Sequence, residues 1–355
     1  MNQKVPVKKF DLFFGTGGVG KTTLATARAV QLAREGKRVL LMTIDPAKRL
    51  KEILGLADDA AGSVVRIDEL PGVGHFPVPL HALLMSAPHT IQRMAKAASV
   101  PELSQNRIVS ILTRPNGGMN EILAVIELQM QMESGNYDCV VLDTPPGPHF
   151  LDFLEGLEKI RSFFDQRFVE IFTSLGRKAV STSQKSFAGK IMNKVVGAGV
   201  QKLLSYLQKV TGEGFVEDFL SALEVIYRSR GAFTQGLEME KRLREPTASN
   251  WFLVTSVEQG KVQEALDIQS EAKRLAPQGM FLVLNKCLSQ ELQDWHPPTG
   301  SKAQALKDTF TDKEDALMEN TRNGFAGVLP FAEVFAASPL AHVQALAEKW
   351  RTHAL

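Results

Sequence analysis

The chain has 355 residues, with 41 lysines and arginines against 39 aspartates and glutamates, a formal net charge of +2. So weak a field argues against a protein built to coat nucleic acid. At 44% hydrophobic and 23% charged residues, the chain reads as globular, with one large or two ordinary domains. Two cysteines, Cys139 and Cys287, exclude a disulfide framework, a CxxC redox centre and a four-thiolate zinc site within one chain. Met1 to Phe14 carries only a brief apolar run and does not read as a secretory leader. The apolar stretch Phe325 to Ala347 is broken by Pro330, Glu333, Pro339 and His342. A soluble, cytoplasmic protein is expected.

In chain order, Phe10 to Phe14 predicts a buried strand running into the glycine-rich Gly15-Thr-Gly-Gly-Val-Gly20. Lys21 to Arg34 then predicts a helix stopped by Gly36, and Val39 to Ile44 a second strand ending at Asp45-Pro46. Strand, helix and strand in so short a span form a βαβ unit with parallel strands. Residues 75–118 read as a helical and loop excursion. Glu121 to Met132 follows as a helix, and Tyr137 to Leu142 as a strand ending at Asp143.

Residues 150–245 hold long helical patterns, including Val216, Phe219, Leu220, Leu223 and Ile226. Beyond them come a strand at Trp251 to Thr255, a helix at Lys261 to Leu275 and a strand at Met280 to Leu284 leading to Asn285-Lys286. Gly327 to Pro330 predicts a last short strand and Leu340 to Lys349 a closing helix. The whole predicts an α/β fold, a doubly wound and mostly parallel sheet with a helical insertion. The expected domains are a nucleotide-binding domain of residues 1–149 and 246–355 and a helical insertion subdomain of residues 150–245.

Gly15-Thr-Gly-Gly-Val-Gly-Lys-Thr22 fits G-x-x-x-x-G-K-[ST]. Gly17, Gly18, Val19 and Gly20 supply backbone N–H groups around phosphate oxygens, followed by Thr22 and Thr23 in the helix's first turn. Lys21 reaches the β/γ-phosphates and the Thr22 hydroxyl binds Mg²⁺. Asp143, ending an apolar strand, reads as the Walker B carboxylate that holds Mg²⁺ through water. Asp45 ends the strand after the loop's helix, on the γ-phosphate side. There it suits orienting the attacking water or joining Thr22 and Asp143 at the metal, although Asp-Pro is also an ordinary turn starter. Asn285-Lys286 closes another strand, and Leu288 stands where a guanine-reading carboxylate would be needed. Adenine, contacted by the Asn285 amide, and hence ATP are expected.

Gly17 to Thr23, Thr43-Ile-Asp-Pro-Ala-Lys-Arg-Leu50 and Asp143-Thr-Pro-Pro-Gly-Pro-His149 resemble the ArsA-type ATPases. These comprise arsenite-pump ATPases and targeting factors for tail-anchored membrane proteins, within the deviant-Walker-A P-loop NTPases of SIMIBI type. The motif forms look most like the family's bacterial branch. The resemblance implies that Asp45 activates water as switch I and that residues 143–149 sense the γ-phosphate as switch II. It also implies that Asn285 contacts adenine, with Pro330-Phe331 packing near the base, and that two chains form a nucleotide-gated homodimer. Two departures stand out. Thr16 occupies the position of the family's signature lysine, so Lys48 or Arg49 substitutes or turnover is slow. Two cysteines are too few for an arsenite site, and no CxxC is available for a zinc-clasped dimer.

Residues 171–210 hold Arg177, Lys178, Lys185, Lys190, Lys194, Lys202 and Lys209 and no acidic residue, preceded by Phe163, Phe164, Phe168 and Phe172. Two readings stand. The block is a nucleotide-controlled surface for a hydrophobic or membrane client, or the aromatics form the insertion's own core and the lysines solvate it. A positioning switch of the MinD/ParA kind, acting at membrane or DNA, is the alternative to a targeting ATPase. A small-molecule kinase would need an arginine-rich lid, which the sequence lacks.

Overall fold

The computed structural model describes residues 5–44, 48–114, 119–133, 135–145, 147, 213–273, 279–321 and 324–353. Eight strands are β1 (Phe10–Gly15), β2 (Val39–Thr43), β3 (Val64–Leu70), β4 (Gly74–Leu84), β5 (Cys139–Asp143), β6 (Ser249–Ser256), β7 (Phe281–Cys287) and β8 (Gly327–Ala332). They form one sheet in the order β3-β4-β2-β5-β1-β6-β7-β8. Every neighbouring pair is parallel except β3 with β4.

The described α-helices are α1 (Lys21–Arg34), α2 (Lys48–Leu54), α3 (Ala87–Ala97), α4 (Glu102–Gln105), α5 (Arg107–Leu112) and α6 (Asn120–Glu133). They continue as α7 (Glu213–Arg228), α8 (Arg230–Arg244), α9 (Gln259–Ala272), α10 (Ser289–Leu292), α11 (Lys302–Thr321) and α12 (Pro339–His353). Among the described residues no helix is long and apolar enough to cross a membrane.

The chain divides into two compact units, one of Met1–Met85, Gln131–Leu154 and Glu240–Leu355 and one of Ser86–Met130 and Glu155–Met239. The first unit contains the sheet. Central strands β1, β2, β5 and β6 are buried at every residue. Such strands read as continuous apolar runs because both faces are covered. On one face Phe13 stacks on Phe252 with ring centroids 4.7 Å apart, and Trp350 of α12 meets Phe13 edge-on at 5.8 Å. Trp350 also donates its indole N–H to the Leu24 carbonyl of α1 at 3.1 Å. Truncating so completely buried an aromatic to alanine costs about 3–5 kcal/mol. On the other face Phe14 meets Trp251 edge-on, and Trp251 donates to the Leu243 carbonyl of α8 at 2.9 Å.

Near the start of β1 the core holds a charge pair. Asp11 and Arg28 are both 0% exposed, and Arg28 Nε donates to Asp11 Oδ2 at 2.8 Å. Asn250 donates to the other carboxylate oxygen at 2.7 Å, and Arg28 Nη1 donates to Gln31 at 2.8 Å. The guanidinium also lies 5.4 Å from the Trp350 ring centroid. Such a pair is tolerated in the interior because both charges are matched and hydrogen-bonded.

Residues 74–84 form a strand rather than the start of a helical excursion. Pro77 and Pro79 mask it in the sequence, since proline donates nothing to a ladder. The structure accommodates them because only His81 to Leu84 pair with β2, while the β3–β4 register shifts between Ile67 and Glu69. Among the described residues, the strands predicted at 10–14, 39–44, 137–142, 251–255, 280–284 and 327–330 and the helices predicted at 21–34, 121–132, 261–275 and 340–349 are present with ends moved by a few residues.

In the second unit Asn106 caps α5, its Oδ1 accepting from the N–H groups of Ile108 and Val109 at 2.9 and 3.2 Å. Its Nδ2 donates to Ser221 of α7 at 3.2 Å. Glu127 of α6, fully buried, accepts from Thr90 at 2.7 Å and pairs with Arg93 of α3. The described residues 213–244 are helical. The basic block 171–210 and its preceding phenylalanines lie outside the described residues.

Candidate functional site

The carboxyl end of β1 enters the glycine loop at Gly15, whose φ is +137°. A Cβ there would stand 2.1 Å from the Val254 carbonyl oxygen of β6, so only glycine lets the strands approach this closely. Gly18 and Gly20 take φ of +77° and +94°, left-handed values on either side of Val19. Val19 itself is buried at 2% exposure and pins the loop to the core. Alternation of this kind turns successive N–H groups into a concavity that binds anions. Helix α1 starts at Lys21 with no side-chain cap and no acidic residue in its first turn. Its leading N–H groups stand at the positive end of the helix dipole, where an anion is favoured.

Lys21 is only 8% exposed, and its ammonium donates to the Thr16 carbonyl at 3.2 Å. A largely desolvated ammonium beside a ring of N–H groups suits a phosphate chain. Thr22 is half-buried in the same turn, while Thr23 is buried. Thr16 is fully buried, and its hydroxyl has no hydrogen-bond partner among the described residues.

Asp143 ends β5, which lies between β1 and β2. Its register partners are Phe13 and Thr43, which places the carboxylate at the same sheet edge as the glycine loop. It is 1% exposed, and the Thr43 hydroxyl donates to it at 3.3 Å. A buried carboxylate beside a phosphate cradle suits a hydrated divalent cation. Strand propensity alone did not single out Thr43. The available signal was a hydroxyl on an otherwise apolar buried strand. The chain after Asp143 stays on the loop, as Thr144 donates through N–H and hydroxyl to the Phe13 carbonyl at 3.1 and 2.9 Å. Gly147 N–H donates to the Gly15 carbonyl at 2.8 Å.

Asp45, Pro46, Pro146, Pro148 and His149 lie outside the described residues, as does the Lys48 side chain. Ile44, which precedes Asp45, donates its N–H to the Asp143 carbonyl at 2.9 Å.

At the end of β7, Asn285 is 4% exposed and its amide donates to the Val19 carbonyl at 2.8 Å. A Cβ on Gly20 would stand 2.6 Å from that amide nitrogen. Asn285 thus braces the glycine loop, a contact that its sequence position did not reveal. Lys286 is half-buried with φ of +63°. Pro330 is exposed on the neighbouring strand, opposite Leu284. Phe331 is fully buried, its ring 4.7 Å from Trp350 and 5.3 Å from His353. The Phe331 ring therefore belongs to the core.

Both cysteines sit in strands. Burial pushes the Cys287 thiol up to about 12, helped by the Glu314 carboxylate, and raises the Cys139 thiol well above its ordinary value. Neither is a thiolate at neutral pH. Among the described residues no group of three or more His, Cys, Asp or Glu stands together as a metal centre.

The sequence model of the anion-transporting ATPase (ArsA) family matches residues 8–328. A protein named ATPase get3 from Schizosaccharomyces japonicus is 31% identical over 186 residues, 50% of this chain and 55% of its own length. The Schizosaccharomyces pombe protein of that name is 33% identical over 142 residues, 39% of this chain and 40% of its own length. That of Aspergillus terreus is 29% identical over 208 residues, 55% and 54%. The chain spans about half the length of the curated relatives it matches. These relatives are fungal and lend no support to the bacterial branch suggested by the motif forms. Glycine loop, buried lysine, strand-end carboxylate and family match agree, and the chain belongs to the anion-transporting ATPase family.

Proposed function

We propose that this chain hydrolyses ATP with Mg²⁺ and uses its nucleotide state to control a helical region that engages a hydrophobic or membrane-protein client. The observation that carries the chemistry is the largely buried Lys21 ammonium in a left-handed glycine loop, with the buried Asp143 carboxylate at the same sheet edge. Gly17, Gly18, Val19, Gly20 and the N–H groups of Lys21 to Thr23 surround the phosphates. Lys21 exchanges its bond to the Thr16 carbonyl for β/γ-phosphate oxygens. Thr22 and Asp143 hold Mg²⁺, with Thr43 fixing the Asp143 carboxylate and Asp45 completing the set or orienting water. Bound Mg²⁺ offsets the charge that develops on the β- and γ-phosphate oxygens. Asn285 and Lys286 meet the adenine, with Pro330 and the Phe331 backbone beside it.

The bond from Gly147 to Gly15 ties the chain after Asp143 to the loop. It supports the reading of residues 143–149 as a phosphate sensor. Relatives named ATPase get3, and the resemblance to targeting factors, support a tail-anchored membrane protein as client, a homodimer as the working form and the cytoplasm as its place. The expected absence of zinc and arsenite sites rests on the cysteine count.

Hydrolysis and sizing of wild type and Asp45→Asn, each with ATP and with GTP, test the proposal. Wild type hydrolyses ATP in preference to GTP, while Asp45→Asn binds ATP and accumulates in its ATP-bound assembly. Normal turnover by Asp45→Asn would remove that residue from the chemistry. A preference for GTP would overturn the adenine assignment.

A further inference from the structure

We propose that Glu314 is a positioning residue for nucleotide-base recognition, holding the turn that follows Asn285-Lys286 from the exposed helix α11. The inference rests on the ATP site proposed above. Helix α11 has 20 residues, of which Glu314 and Thr321 are the buried ones, while Leu306 and Phe310 are 52% and 37% exposed. Apolar residues outward and a carboxylate inward reverse the usual solvation order. A carboxylate 3% exposed needs donors to offset its lost hydration. Glu314 has two, accepting from Leu288 N–H at 2.6 Å through Oε1 and from Ser289 N–H at 2.9 Å through Oε2.

Those two amides immediately follow the base segment. Lys286 holds a left-handed φ of +63° without being glycine, a conformation that persists only where neighbours impose it. On its upstream side Asn285 is tied to Val19 of the glycine loop. Downstream, Cys287 accepts from Glu333 N–H at 2.8 Å and Glu314 grips the next two residues. The negative charge at Glu314 is also felt by the Cys287 thiol, raising it beyond what burial does. Without Glu314, Lys286 relaxes toward the right-handed region and the segment beside the base shifts, while the buried Asn285 amide keeps its bond to Val19. The phosphate loop keeps its own glycines, Lys21 and strand pairing, so triphosphate recognition survives.

The test compares Mg²⁺-ATP with Mg²⁺-tripolyphosphate, which has no base, by calorimetry on wild type, Glu314→Gln and the exposed-acid control Glu319→Gln. Glutamine keeps the volume but turns an N–H group toward a backbone N–H, so one of the two bonds is lost. Glu314→Gln is expected to weaken ATP about tenfold, with tripolyphosphate within about twofold of wild type, and to narrow the preference for ATP over GTP. Glu319→Gln binds both ligands as wild type does. Equal loss for ATP and tripolyphosphate, or undiminished ATP binding, would overturn the proposal. Wild type that binds neither ligand would instead overturn the ATP-site reading. If Glu314→Gln fails to fold by circular dichroism, Glu314→Asp, with a shorter reach, is put through the same pair of ligands and judged by the same outcomes.

Discussion

Helix α1 buries one cation at its start and another near its middle, and the two are held differently. Arg28 meets Asp11 directly at 2.8 Å, and Asn250 and Gln31 add bonds of 2.7 and 2.8 Å. Lys21 donates to the neutral Thr16 carbonyl at 3.2 Å, and Asp143 across the loop accepts from the neutral Thr43 hydroxyl at 3.3 Å. Short bonds between opposite charges are not readily exchanged for a ligand, because releasing either partner strands a charge in the interior. Long bonds to neutral partners are exchanged at little cost when phosphate or a cation arrives. One helix thus carries a cation in a fully buried ion pair near its middle and another beside the glycine loop at its start.

Breaking the fold-holding pair should have the largest effect. Asp11→Ala leaves Arg28 charged and buried, and urea unfolding should show a loss of about 3–5 kcal/mol. A loss below about 1 kcal/mol would mean that water reaches Arg28 and that the two sites differ less than their geometry indicates. Lys21→Ala should act on function instead, lowering kcat for ATP by on the order of 10²–10³ while the unfolding midpoint stays at or above the wild-type value. Collapse of stability alongside activity would put Lys21 with Arg28 as a structural cation. The smallest change is expected at Arg34, in the last turn of the same helix. It pairs with Glu348, both about half exposed. Arg34→Ala should cost under about 1 kcal/mol, shrinking further in high salt.

Much of the sheet was legible because its central strands are short apolar runs that stop at a glycine or a polar residue, such as Gly15 and Asp143. A parallel sheet buried on both faces writes itself into sequence in this way. The β3–β4 hairpin did not, since β3 has only Ile67 and Leu70 buried and β4 carries two prolines. Edge strands owe their pairing to tertiary context more than to pattern. Asn285 stood out at the end of an apolar run, but its bond to Val19 spans 266 positions and leaves no local trace. Phe331 shows the converse, since its proximity in sequence to a site edge concealed a side chain turned into the core. Glu314 was illegible for a related reason: on a largely exposed helix one carboxylate looks like any other until the backbone amides it holds are known.

The outer strands carry a consequence for how copies of this chain meet. On β3 the residues Arg66, Asp68 and Glu69 stand out from the ladder, with Arg66 and Asp68 joined side by side. On β8, the other outer strand, Pro330 is exposed and stands opposite Leu284 of β7. Charged side chains on the β3 margin make it a poor template for a further strand. In a concentrated solution of the folded chain, growth of the sheet past β3 is thereby opposed.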